Sequence, residues 1–111
     1  MKLLLIFIMA LAFFGGLYLA INILQDKKPP LSAAGIHGII ALLLIVLLIY
    51  FAYTLNTTKL WVALGLLIAA SFGGLYLVRN HKNGNLGPKS AVYIHAFIAL
   101  VGLLLILTSI L

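Results

Sequence analysis

No cysteine occurs anywhere in the chain, and of its 111 residues a single one, Asp26, is acidic. The first absence excludes disulfides, thiolate metal centres and thiol chemistry, and with them any reading of the redox compartment. The second weighs against ion-coupled transport. Proton-driven pumps and carriers hold carboxylates at membrane depth, whereas Asp26 falls in a polar break beside Lys27 and Lys28. Charge of either sign is scarce: 7% of residues are charged against 66% apolar, and the mean hydropathy is +1.32. A soluble fold of that composition has too little polar surface to cover itself, and a lipid bilayer is the solvent it fits. Also missing are Gly-x-Ser-x-Gly, a phosphate-binding loop and any acid placed to orient a base, so hydrolytic and nucleophilic chemistry is not expected and the chain reads as a carrier or accessory subunit rather than a stand-alone catalyst. The formal charge of +6 comes from basic residues scattered through short loops, with no basic face for nucleic acid.

What the chain does have is four apolar stretches, at about 3–24, 33–53, 60–78 and 91–110. Each approaches the ~20 residues that carry a helix across ~30 Å of hydrocarbon. Backbone amides cannot stay unpaired in lipid and the alternation of a barrel strand is absent, so the expected fold is all-α: an integral membrane antiparallel four-helix bundle, one domain over residues 1–111. Pro30 and Pro88 suit the start of the helices that follow them. Loops 25–32 and 79–90 hold Lys27, Lys28, Arg79, Lys82 and Lys89, against Lys2 and Lys59 on the other side. That bias predicts cytoplasmic loops and both termini outside, with a bacterial inner membrane as the expected location. Tyr50, Tyr53 and Trp61 then form an aromatic belt at the outer interface and Tyr93 sits at the inner one.

Shifting the sequence by 58 residues lays one hairpin on another without a gap, repeat one being 1–56 and repeat two 57–111. Phe14-Gly15-Gly16-Leu17-Tyr18-Leu19 falls on Phe72-Gly73-Gly74-Leu75-Tyr76-Leu77, Pro30 on Pro88, Ser32 on Ser90 and His37 on His95. Between Ala12 and Leu42, 16 of 31 positions are identical, more than a shared apolar alphabet supplies. Met1 to about Ala20 also has the look of a cleaved signal peptide, but its counterpart in the third stretch makes it part of the expected fold. Two spans per repeat imply a pseudo-two-fold axis along the membrane normal, so that equivalent residues share one depth.

His37 and His95 each stand seven residues past their proline, roughly 10 Å in from the cytoplasmic end of a helix. Each is flanked one turn away on the same face by alanines: Ala33 and Ala41, Ala91 and Ala99. Gly15, Gly16, Gly73 and Gly74 lie near that depth and permit close approach of a helix or a flat ligand. Two axis-related imidazoles among small residues describe a site for one haem b, with His37 and His95 as axial ligands. The expected acceptors for Nδ1–H are the carbonyls of Ala33 and Ala91 or the hydroxyls of Ser32 and Ser90. Lys27, Lys28, Arg79, Lys82 and Lys89 are the cations available to the propionates, and Tyr18 and Tyr76 lie near that edge.

At these residues the chain resembles small four-helix transmembrane b-type cytochromes, in which histidines on facing helices clamp haem and glycines pack against the macrocycle. The resemblance implies electron transfer, with a quinone or a larger electron-transfer complex as partner, since the chain has no soluble part to dock a nicotinamide or flavin. Such bundles often hold two haems on four histidines, whereas here one matched pair exists: His81 falls on Ile23 and reads as a solvated loop residue.

Rival readings use the same residues. A histidine on a membrane helix can be a plain hydrogen bonder, and Gly-Gly pairs are ordinary packing devices. On that view the chain is a non-redox accessory subunit packing against partner subunits or as a homodimer; a porphyrin or lipid carrier is a third expectation. Tetrahedral zinc wants three or four protein ligands, and two histidines fall short.

Overall fold

The computed structural model describes residues 1–111. Four α-helices and no strand account for the fold: α1 (Lys2–Leu24), α2 (Leu31–Leu55), α3 (Thr58–Lys82) and α4 (Lys89–Ile110). All four are long and apolar enough to cross a membrane. At 22 to 25 residues each, they run roughly 33 to 38 Å, which matches the 42 Å long dimension of the molecule.

Local chemistry sets where each helix stops. Pro30 and Pro88 stand immediately before α2 and α4, with extended ψ of 140° and 139°; the fixed φ of proline suits that junction and its missing N–H leaves no orphan donor. α2 ends on Asn56, whose left-handed φ of 48° turns the chain within two residues into α3. There the Thr57 hydroxyl accepts a hydrogen bond from the Leu60 N–H at 3.3 Å, a side-chain N-cap.

α3 departs from the expected 60–78 by running on to Lys82, so Arg79, Asn80 and His81 are helical rather than loop. Loss of hydropathy does not end a helix; loss of backbone partners does. Arg79, His81 and Lys82 form a basic last turn that complements the negative end of the helix dipole. The chain breaks only at Asn83-Gly84, where Gly84 takes φ 86° and the Asn85 N–H closes onto the Asn80 carbonyl. α2 likewise begins at Leu31 and ends at Leu55, outside the expected 33–53.

Each helix packs on two others: α1 on α2 and α4, α3 on α2 and α4, with nothing across the diagonals. Short loops reverse the direction each time. Lys59 at the start of α3 therefore donates to the Thr108 hydroxyl near the end of α4 at 3.2 Å, and at the opposite end Asp26 pairs with Lys89 at 3.3 Å.

The interior is unevenly filled. A continuous cluster that includes Leu5, Leu48, Leu60, Ala63, Ile106 and Ile110 packs the half of the bundle nearest the Asn56 turn. Toward the other end, only small or isolated residues such as Ala34 and Val92 are buried. No polar side chain is buried, and large apolar groups such as Leu42, Phe72 and Phe97 are mostly exposed along the outer faces. An outward-facing apolar surface of that extent is what a helix bundle presents to lipid. Tyr50, Tyr53 and Trp61 gather at the Asn56 end, where Trp61 donates its indole N–H to Asn56 Oδ1 at 2.9 Å and stacks edge-on against Tyr53. Tyr93 is exposed toward the other end.

Candidate functional site

The loosely filled half carries both histidines. Seven residues past Pro30, His37 sits in the seam between α2 and α1; seven residues past Pro88, His95 sits in the seam between α4 and α3. Each ring rests in a notch that two consecutive glycines leave in the facing helix. A Cβ on Gly16 would stand 3.1 Å from His37 Cε1, and one on Gly15 would stand 3.5 Å from its Nδ1. A Cβ on Gly74 would stand 3.2 Å from His95 Cε1, and one on Gly73 would stand 3.4 Å from its Nδ1. The glycines therefore do their close-approach work against the imidazoles themselves.

Hydrogen bonding distinguishes the two rings. His95 Nδ1 lies 2.7 Å from the carbonyl oxygen of Ala70, on α3. A carbonyl only accepts, so Nδ1 carries the proton and Nε2 keeps its lone pair. The Ala70 carbonyl takes the place expected for Ala91 or Ser90, because the ring points across the seam rather than back along its own helix. His37 Nδ1 is enclosed but has no partner, the one such buried side-chain nitrogen or oxygen in the molecule. The Nε2 atoms of both rings make no hydrogen bond and are not sealed in the interior.

Sequence reasoning missed Ala70. Its signal was present: Ala70, Gly73 and Gly74 stand at i, i+3 and i+4, one face of a helix, and Ala12, Gly15 and Gly16 repeat that spacing. Ala12 and Ala70 are both buried, so each small face extends one turn from the glycines toward the packed core.

The flanking alanines Ala33, Ala41, Ala91 and Ala99 are half-buried on the histidine helices. Tyr18 and Tyr76 are half-exposed, and their carbonyls accept from the side chains of Asn22 and Asn80 at 2.8 and 3.0 Å. Arg79, Lys82, Lys27 and Lys28 are exposed at that end of the bundle, where Asp26 is engaged by Lys89. His81 is half-buried in the last turn of α3. No third histidine, cysteine or carboxylate joins the pair to make a three-ligand metal centre.

His37 and His95 ride on diagonal helices. At the same end of the bundle, α2 and α3 part to leave a groove of about 410 Å³, lined by Leu31, Ala34, Gly35, Gly38, Leu75 and Val78 with Lys82 at its lip and by neither histidine. The site thus comprises two imidazoles whose Nε2 atoms are unbonded, small residues around them and cations at that end of the bundle. Comparison with protein-family models, with curated proteins and with solved structures finds no match to the chain.

Proposed function

We propose that the chain is a small membrane b-type cytochrome that holds one haem b between His37 and His95 and passes electrons to a membrane partner, a quinone or another subunit of an electron-transfer complex. The observation that carries the reading is the state of His95. Its Nδ1–H is anchored by the Ala70 carbonyl and its Nε2 is left unengaged, the arrangement in which a protein presents a neutral imidazole to a metal. His37 stands in the same kind of glycine notch on the diagonal helix.

In this reading the two hairpins are tandem repeats about a pseudo-two-fold axis along the membrane normal, which brings the histidines to one depth. Haem in such a site supplies one-electron exchange, and two imidazole ligands favour that role over oxygen binding. The chain's own residues do the rest. The glycine notches fix the imidazole rings, Ala33, Ala41, Ala91 and Ala99 keep the flanks low, and the outward leucines and phenylalanines keep water from the site. Arg79, Lys82, Lys27 and Lys28 supply charge for two carboxylates. The groove between α2 and α3 gives an apolar quinone a path from the lipid to the site's edge. The charge bias of the loops supports a cytoplasmic side for residues 25–32 and 79–90 and an outer side for both termini, and the membrane of this reading is a bacterial inner membrane.

One observation favours a second reading, that of a non-redox accessory subunit: each imidazole already fills its notch, as a packing residue would. Absorption spectra of the detergent-purified chain separate the two. A sharp Soret band with split bands after dithionite reduction, lost when both histidines are replaced by alanine, supports the cytochrome. A colourless preparation that stays colourless after incubation with hemin ends it in favour of the accessory subunit.

A further inference from the structure

The two histidines are not equivalent donors, and the difference lies in what surrounds Nδ1. For an imidazole to bind a metal through Nε2, its proton must reside on Nδ1. At His95 that proton has an acceptor, the Ala70 carbonyl at 2.7 Å. At His37 the same nitrogen is buried with no acceptor within reach. The residue that corresponds to Ala70 in the repeat is Ala12, present and buried, yet its carbonyl makes no bond to His37.

Two consequences follow. A buried N–H with no partner is unfavourable, so His37 rests with its proton on the accessible Nε2 and its bare Nδ1 enclosed, the tautomer that cannot ligate. His95 rests in the ligating tautomer. In addition, a hydrogen bond from Nδ1–H to a carbonyl raises the basicity of Nε2, which strengthens His95 as a ligand and leaves His37 without that gain.

Resting on the haem reading above, we infer that His95 is the permanent axial ligand and His37 the exchangeable one, so that a small neutral diatomic probe such as carbon monoxide displaces His37 rather than His95. The exchange is a simple substitution on ferrous iron. The bond to His37 Nε2 breaks, a bond to the incoming ligand's donor atom forms, no electron changes hands, and the freed imidazole, once its ring has moved, takes a proton from water at Nε2 and gives the one on Nδ1 back to water. Gly35 and Gly38, next to His37 on α2, have no other group within 4 Å of a Cβ built on them and leave that part of the helix uncrowded.

The experiment uses the full chain in detergent, loaded with hemin and reduced with dithionite, with carbon monoxide as probe. Wild type, His37→Ala and His95→Ala are compared for haem content by Soret absorbance and for the carbon monoxide shift. His37→Ala is expected to keep its haem and to bind carbon monoxide at least about tenfold more tightly than wild type, which itself shows a partial shift. His95→Ala is expected to hold haem about tenfold more weakly and to recover it when free imidazole is added. That recovery shows the variant is folded. If it fails to recover, far-UV circular dichroism checks its fold and the wild type and His37→Ala arms decide alone. Equal loss of haem in both variants, or a wild type inert to carbon monoxide together with a His37→Ala that loses haem, overturns the ranking while leaving the cytochrome standing. A wild type without a Soret band removes both.

Discussion

Replacing Gly16 by alanine tests the notch directly, provided the general effect of the substitution is subtracted. Alanine in place of a helical glycine stabilises by up to about 1 kcal/mol through backbone propensity alone. Gly65 on α3 isolates that term, because a Cβ there meets nothing within 4 Å. At Gly16 the same methyl group would stand 3.1 Å from His37 Cε1, several tenths of an ångström inside ordinary contact. The obstacle is a ring held in a seam, so either the ring leaves the notch or α1 and α2 separate. Overpacking of that kind costs about 1–3 kcal/mol. Gly16→Ala should therefore be less stable than Gly65→Ala by about 1–3 kcal/mol, and Gly74→Ala, at 3.2 Å from His95 Cε1, should behave the same way. Unfolding by sodium dodecyl sulfate in mixed micelles, followed by circular dichroism, measures the difference. If Gly16→Ala and Gly74→Ala unfold together with Gly65→Ala, the imidazoles do not occupy the notches and the account of the site is wrong.

Three further outcomes are expected. Asn56→Gly keeps the left-handed turn but removes the partner of the Trp61 indole, so it should shift the emission of the sole tryptophan with little loss of stability; Asn56→Ala should shift it equally and lose about 1 kcal/mol more. Asp26→Asn removes the pairing with Lys89, whose side chains are 77% and 49% exposed; the loss should stay below about 1 kcal/mol and vanish in high salt, and a larger effect would mean that the two loops are held by more than this contact. Because the chain has no cysteine of its own, a single cysteine at Asn85 should react with a membrane-impermeant maleimide only after cell lysis, while one at Thr57 should react in intact cells. The reverse pattern would invert the orientation.

The helices were legible because lipid imposes one simple demand, about twenty consecutive residues with few charges, and the four stretches meet it. Their ends were less legible. Hydropathy marks where a helix leaves the membrane, whereas hydrogen bonding marks where it stops. α3 therefore carries Arg79, Asn80 and His81 beyond its apolar part until Gly84 offers a left-handed turn. The importance of Ala12, Gly15, Gly16, Ala70, Gly73 and Gly74 as faces was within reach of the i, i+3, i+4 rule, but small residues say only that something comes close. They do not say what does.

Composition, spacing and the 58-residue register determined on their own that this is a membrane-spanning α-helical chain with one matched pair of histidines, since these follow from counts and periods that any folded form must respect. Only the tertiary structure decided what fills the glycine notches and which carbonyl meets which imidazole. Those contacts join residues up to 25 positions apart on different helices, and their geometry depends on how deeply one helix settles against the next. Two segments that share both the histidine and its facing alanine and glycines thus end with one Nδ1 bonded and the other alone, because a hydrogen bond depends steeply on distance and angle and these are set by how the helices settle together.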